Sequence, residues 1–155
     1  MRVYLGSDHA GFELKRHLLQ RLGAAGHDVV DVGPHVFDPD DDYPGYCIAT
    51  GAAVVADCDS LGVVIGGSGN GEQIAANKVP GVRAALAWSA EVAQLARQHN
   101  DANVVSVGAR MHTAAEAADI VDTFLGTAFS GGERHERRIT QVSAYEGTRE
   151  LPSEH

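Results

Sequence analysis

Leu61 to Lys78 reads LGVVIGGSGNGEQIAANK, and this stretch decides the fold. Leu61–Ile65 is a short, β-branched apolar run with no polar alternation, the pattern of a strand buried on both faces. Six residues, GGSGNG at 66–71, follow at once and contain four glycines. Glu72–Lys78 then reads as a helix ended by Pro80-Gly81. Strand, glycine turn and helix in that order make one βα unit of a parallel sheet. Toward the N-terminus, Pro44 opens a helix running to about Asp57, and the polar segment 34–42 is a loop. Before the loop lies a strand over Asp28–Val32. Ahead of that, Phe12, Leu14, Leu18, Leu19 and Leu22 recur at helical spacing behind a strand at 2–6. Toward the C-terminus come a strand at Arg83–Ala87 and a helix capped by Ser89 with Val92, Leu95 and Ala96 inward. A strand at Val104–Val107 follows, then a helix that Thr113 and Glu116 start as a capping box. A last helix runs from Glu133 to about Tyr145.

Strands alternate with helices, no repeat or linker divides the chain, and 155 residues suit one core. The expected fold is α/β: a single-domain, Rossmann-like, three-layer arrangement with a mostly parallel five-stranded sheet. Residues 1–145 form the domain and 146–155 a tail. The last helix has a thin apolar stripe (Ile139, Val142, Tyr145), so it is expected to pack on a homodimer partner.

Composition narrows the function. A net charge of −9 argues against nucleic acid and anionic membranes as partners. No apolar run approaches a membrane span, and the N-terminal apolar run breaks at Gly6-Ser7-Asp8, so a cytoplasmic protein is expected. Cys47 and Cys58 fit no disulfide framework or metal spacing and are expected to be reduced, buried small hydrophobes. The eight histidines are scattered without an HExxH or HxxxH pair, so no metal site is expected.

In open α/β sheets, sites form beyond the carboxyl ends of the strands. The glycine turn is not a dinucleotide fingerprint, because GxGxxG from Gly67 needs glycine where Glu72 stands. A Walker loop needs Lys-Ser/Thr where Glu72-Gln73 stand, and a GxSxG elbow on Ser68 needs glycine where Asn70 stands. Four glycines exceed the need of a plain turn and favour an anion hole made of backbone N–H groups. Glu72 has two readings: an acid placed by the helix dipole, or a base beside the hole that removes a proton next to a carbonyl. Asp8-His9 after the first strand is an N-cap with a surface histidine or a pair of site residues. Tyr43 is a packed loop aromatic or a site residue, and the polar turn 99–103 and Arg110 are weak signals alone. Arg134, Arg137 and Arg138 with His135 are a solvated helix face paired with Glu133 and Glu136, or a seat for a small anion.

Together these segments resemble the family that contains type B ribose-5-phosphate isomerases and galactose-6-phosphate isomerase subunits. The matching residues are GSDHAGFELK at 6–15, DYP at 42–44, GGSGNGEQIAANK at 66–78, HND and AN within 99–103, and GAR at 108–110. Arg134, His135 and Arg138 match as well. Many members carry a catalytic cysteine at the position of Gly66; this chain resembles the branch with a glutamate base, here Glu72. The resemblance implies an aldose–ketose isomerase of ribose 5-phosphate, with a six-carbon sugar-phosphate isomerase or a non-catalytic sugar-phosphate sensor as alternatives. It implies that Ser68 and the amides of Gly67, Gly69, Asn70 and Gly71 hold an enediolate. Asp8 and His99 would open the sugar ring, and Tyr43 and Asn100 would position it. His9, Arg110, Arg134 and Arg138, with His135, would bind phosphate. It further implies no metal or organic cofactor, and a homodimer whose active sites are shared, with His99, Asn100 and Arg110 supplied by the neighbouring subunit.

Overall fold

The structure is a computed structural model that describes residues 1–153. Five strands form one sheet: β1 (Arg2–Ser7), β2 (Asp28–Gly33), β3 (Ser60–Gly66), β4 (Ala84–Leu86) and β5 (Val104–Gly108). Their order is β2-β1-β3-β5-β4, and every pairing is parallel. The chain leaves β1 toward β2 and then returns to build outward from β3, so the reversal of direction lies between β1 and β3. That is where the sheet opens a crevice at its carboxyl edge. β3, read from sequence as a doubly buried strand, has all seven residues buried.

Six α-helices cover the sheet: α1 (Phe12–Ala24), α2 (Tyr43–Ala56), α3 (Asn70–Ala76), α4 (Ala90–Asn100), α5 (Ala114–Gly126) and α6 (Glu133–Thr148). One face packs Leu14, Leu18 and Leu22 of α1 with Phe124 and Val121 of α5 against Val3, Leu5, Val63 and Ile65. The other packs Cys47 and Val54 of α2 and Ala75 and Ala76 of α3 against Val64 and Val104. Each fully buried Val, Leu, Ile or Phe contributes about 1.5–3 kcal/mol relative to exposure, so this two-sided burial fixes β3 at the centre. Lys15 is the largest fully buried side chain. Its Nζ donates to Asp31 and to the carbonyl of Pro34 at 2.6 Å, which ties α1 to the end of β2. Breaking a buried pair of this kind by removing one partner costs about 3–5 kcal/mol.

Several boundaries differ from the sequence expectation. α3 begins at Asn70, because Gly69 adopts φ +84 and turns the chain into the helix two residues early. On α4 the buried residues are Ala93 and Ala96, while Leu95 is exposed; the small residues face α5 and allow close approach. Cys47 is buried, but Cys58 is exposed, since it falls in the turn between α2 and β3. α6 runs to Thr148, past the expected end at Tyr145, and the Glu146 carboxylate accepts from the Gly81 N–H at 2.8 Å. Residues 154 and 155 of the expected tail lie outside the described residues. α6 buries no residue, and Val142 and Tyr145 are exposed. Among the described residues, no helix is long and apolar enough to cross a membrane.

Candidate active site

The structure gathers the sequence-derived candidates into two groups at opposite edges of the sheet. At the carboxyl edge stand Asp8 and His9 after β1, the glycine turn and Glu72 after β3, and Arg110 after β5, with Tyr43 at the start of α2.

Glu72 is 4% exposed. Burial pushes its carboxyl pKa up, and nearby Asp8 adds to the rise; the amides of Glu72 and Gly69 face the carboxylate and pull the other way. A buried carboxylate with a raised pKa is a stronger base than a solvated one. Its place is secured by a missing side chain. A β-carbon on Gly66 would overlap the Glu72 carboxylate, so a side chain at position 66 and this glutamate compete for the same space. That geometry gives a physical reason why a cysteine at the position of Gly66 and a glutamate at 72 are alternatives. Cys47 lies close enough for Glu72 and Asp8 to act on it, yet burial and those two acids raise its thiol far above the usual range. It is neither a thiolate nor a rival base.

The turn itself is pinned from below. Gly69 carries its carbonyl inward, where it accepts from the buried hydroxyl of Ser106 at 2.7 Å and from the Gln73 N–H at 3.1 Å. A β-carbon on Gly69 would meet Leu86 at 2.7 Å, so both its conformation and its space require glycine. The Ser68 hydroxyl accepts from the Asn70 amide at 3.3 Å and its side-chain nitrogen at 3.1 Å. The Tyr43 ring lies over Gly71, whose β-carbon would sit 2.8 Å from the phenol oxygen. Tyr43 therefore faces the turn as well as packing on the apolar core. Sequence reasoning missed Ser106; a lone serine in an apolar strand was its only signal.

Asp8 satisfies both of its readings. Its Oδ1 caps the 3-10 turn His9–Gly11 by accepting from Ala10 N–H at 2.9 Å and Gly11 N–H at 3.2 Å. Oδ2 takes no hydrogen bond among the described residues. His9 is half-buried, and hydrogen bonding to Asp41 raises its pKa against the effect of burial. Arg110, which the resemblance implied comes from the neighbouring subunit, stands against Gly67 within its own chain. A β-carbon on Gly67 would lie 3.4 Å from its Nη1, and its N–H donates to the Gly67 carbonyl at 3.0 Å. The reason is strand order: β5 is next to β3, so the residue after β5 borders the glycine turn.

The second group lies at the amino edge. α4 begins beyond β4 and descends the sheet to end just before β5, which carries His99 and Asn100 to the edge opposite Glu72. There the His135 ring stacks on His99, with centroids 4.3 Å apart and planes 11° from parallel. Burial, with His99, Arg138 and Arg134 close by, lowers the pKa of His135. Arg134 and Arg138 are exposed, and among the described residues no ion pair joins Arg134, Arg137 or Arg138 to Glu133 or Glu136. The arginines are thus solvated, as the solvated-face reading expects, but without the ion pairs to Glu133 and Glu136 that it named. Asp101 and Asn103 of the same turn serve the fold. Asp101 takes φ 43 at the end of α4 and accepts from Arg83 and Arg97. Asn103 bridges Gly81 and Arg83. A groove of about 590 Å³ runs along the free edge of β4, lined by Leu86, Trp88, Asn100, Arg138, Ile139 and Val142 among others.

Known proteins share this sequence and fold. The family model described as Ribose/Galactose Isomerase matches residues 3–142. The ribose-5-phosphate isomerase B of Mycolicibacterium paratuberculosis is 60% identical over 152 residues, covering 98% of this chain and 96% of that protein. A crystal structure of ribose-5-phosphate isomerase B from Mycoplasma genitalium with bound ribulose-5-phosphate superposes with a TM-score of 0.91 at 43% identity, covering 95% of this chain and 97% of that one. The ribose-5-phosphate isomerase B of Clostridium thermocellum gives a TM-score of 0.91 at 41% identity, covering 97% and 100%. A family match over most of the sequence, a shared fold and near-complete coverage in both directions agree: the chain belongs to the ribose/galactose isomerase family.

Proposed function

We propose that this chain interconverts ribose 5-phosphate and ribulose 5-phosphate through an enediolate. The observation that carries the reading is Glu72: a buried carboxylate with a raised pKa, held against Gly66 beside a glycine turn. Glu72 takes the proton from C2 of the open-chain aldose, and the electron pair of that bond moves through C1 onto the carbonyl oxygen. The hydroxyl proton on O2 then passes to O1, and Glu72 returns its proton to C1, which leaves the ketose. Ser68 and the amides of the turn stabilise the oxyanion. Asp8, through its free Oδ2, helps to open the furanose ring, and Tyr43 orients the sugar. His9 and Arg110 take the phosphate from one side.

His99, Asn100, Arg134, His135 and Arg138 complete the site from a second subunit. Within one chain they stand at the edge away from Glu72, so only another copy brings them to it. A two-fold partner seated antiparallel along the β4 edge sets the amino edge of one sheet against the carboxyl edge of the other. The exposed Trp88, Val142 and Tyr145 supply apolar surface for that contact. Residues 1–145 carry every assigned role in the reaction, and the enzyme works in the cytoplasm. The test is to give purified protein ribose 5-phosphate, allose 6-phosphate and galactose 6-phosphate separately and follow ketose formation. Turnover of ribose 5-phosphate at least tenfold above the other two is expected; preference for a six-carbon substrate, or no turnover of any, overturns the assignment.

A further inference from the structure

His9 is held from behind by a residue of the loop between β2 and α2. Oδ1 of Asp41 accepts the His9 backbone N–H at 2.7 Å and faces ring Nδ1 at 3.0 Å. The Asp41 side chain is only 7% exposed, and its Oδ2 is buried without a partner among the described residues. A carboxylate buried to that degree is sustained by a cation and by donors aimed at it. The loop that delivers it is fixed at two further points. Phe37 packs edge-on to Phe12 of α1, with centroids 5.7 Å apart, and the Pro34 carbonyl accepts from buried Lys15. Asp41 thus reaches His9 on a braced support.

The groups acting on His9 are acidic. Asp41 faces it from the loop and Asp8 from the preceding position, and both favour the imidazolium. Asp41 also acts on the phenol of Tyr46 from α2, whose pKa is raised by burial and by Asp41 and Asp38. With Nδ1 bonded to Asp41, Nε2 is the one ring nitrogen left for a ligand. A second hydrogen bond of this kind sets which nitrogen of a histidine carries its proton and where the ring points.

We propose that Asp41 is a positioning residue that holds the His9 ring by Nδ1–H and so presents Nε2–H to the phosphate of the substrate. This rests on the reading of His9 as a phosphate ligand. His9 then meets the phosphate as a charged donor, and the charge-assisted bond is stronger than a neutral one. Asp41 touches neither C1 nor C2, so its effect falls on binding and on the pH dependence of binding.

The experiment follows the ring nitrogens of His9 by 15N NMR in the native protein and in Asp41→Asn, with and without inorganic phosphate, beside steady-state kinetics on ribose 5-phosphate. The native ring should titrate above 6.5 and shift on phosphate addition; in Asp41→Asn the titration should fall back toward that value. KM should rise about tenfold in Asp41→Asn with kcat within about twofold, and the loss of affinity with rising pH should begin at lower pH than in the native enzyme. In a His9→Asn background the same substitution should add nothing to KM. A native His9 that titrates at or below 6.5, a ring unmoved by phosphate, or an equal KM cost with and without His9 overturns the proposal. Should Asp41→Asn fail to fold, the native titration and its response to phosphate decide alone. A protein inactive on ribose 5-phosphate whose His9 still responds to phosphate as described overturns the substrate assignment and leaves the Asp41 proposal standing.

Discussion

At the carboxyl edge of the sheet, Glu72 and Asp8 are buried and already hydrogen-bonded. At the amino edge, Arg134 and Arg138 are exposed and joined to no carboxylate among the described residues. One edge is preorganised: glycines at 66 and 69 make room that only backbone and carboxylate can fill, and Ser106 pins the turn. The other edge presents stacked histidines and free guanidinium groups beside an apolar groove. A base needs a low-dielectric place that shifts its pKa, so it is built inside one fold. On the proposed reading the arginines form a phosphate grip, which needs charge kept unneutralised until the ligand arrives and can stay on a protein surface. Glu72 then carries the proton transfer and Arg138 a share of the phosphate grip, so a substitution at either should damage one of these and spare the other.

The largest effect should come from the preorganised edge. Glu72→Gln keeps the shape and removes the base, so kcat should fall about 10²–10⁴-fold with KM little changed. Exchange of the C2 proton with deuterated solvent, read by NMR, should stop with it. On the proposed mechanism the carboxylate must be ionised to act, and its raised pKa in the free protein moves the acid limb of kcat/KM above the ordinary value of 4.5. Activity should therefore disappear as pH falls through that higher value. Near-native turnover by Glu72→Gln would reduce the carboxylate to a partner of the helix dipole. Gly66→Ala sharpens the same point without touching the base. Its methyl takes the place of the carboxylate, and a displacement of about 1 Å costs on the order of 10² in kcat. Unchanged kinetics would mean that the Glu72 side chain has room to move.

How far the sequence reaches differs between the two edges. The alternation of strands and helices was legible because apolar runs and caps are local signals. Ser89 and Thr113 cap the helices where expected, accepting from Val92 and Glu116. The insertion of β5 between β3 and β4 was not legible, since pairing order depends on contacts far apart in sequence. Asp8 and Glu72 could be singled out from the sequence because they follow strand ends, while Tyr43, ten residues past β2 at the start of α2, was named through resemblance. His99 was named through resemblance, yet nothing local told that α4 carries it to the far edge. Asp41 was hidden among turn-forming aspartates at 38–42, where composition suggests a solvated loop and the structure shows one buried carboxylate. Cys58 was misplaced for a similar reason: an apolar residue type outweighed a turn position.

The exposed edge should respond in binding. Arg138→Ala should raise KM for ribose 5-phosphate about 10–100-fold, the worth of one charge-assisted contact of about 1.5–3 kcal/mol, with kcat changed far less. Ribose lacking the phosphate should be a poor substrate of the native enzyme and should not discriminate it from Arg138→Ala. A kcat loss equal to the KM effect would place Arg138 at the reacting atoms and blur the division between the edges.

The smallest effect is the sharpest test, because it asks whether the two edges meet across subunits. Glu72→Gln disables the buried edge and His99→Ala the exposed one, so each variant alone should be inactive. In a two-fold dimer with shared sites, mixing them gives one site with both lesions and one with neither. Random reassociation makes about half of the dimers mixed, and half of their sites are intact, so about a quarter of native activity should return. If each site lay within one subunit, every site in the mixture would carry a lesion and nothing would return. The measurement is activity after dissociation, mixing and reassociation, with differently tagged subunits to count the mixed dimers. The path of α4 favours recovery, because it holds His99 away from Glu72 in the same chain. Confirmed mixed dimers without activity would require His99 to act within its own subunit or not at all. The amino-edge cluster would then lose its place in the site.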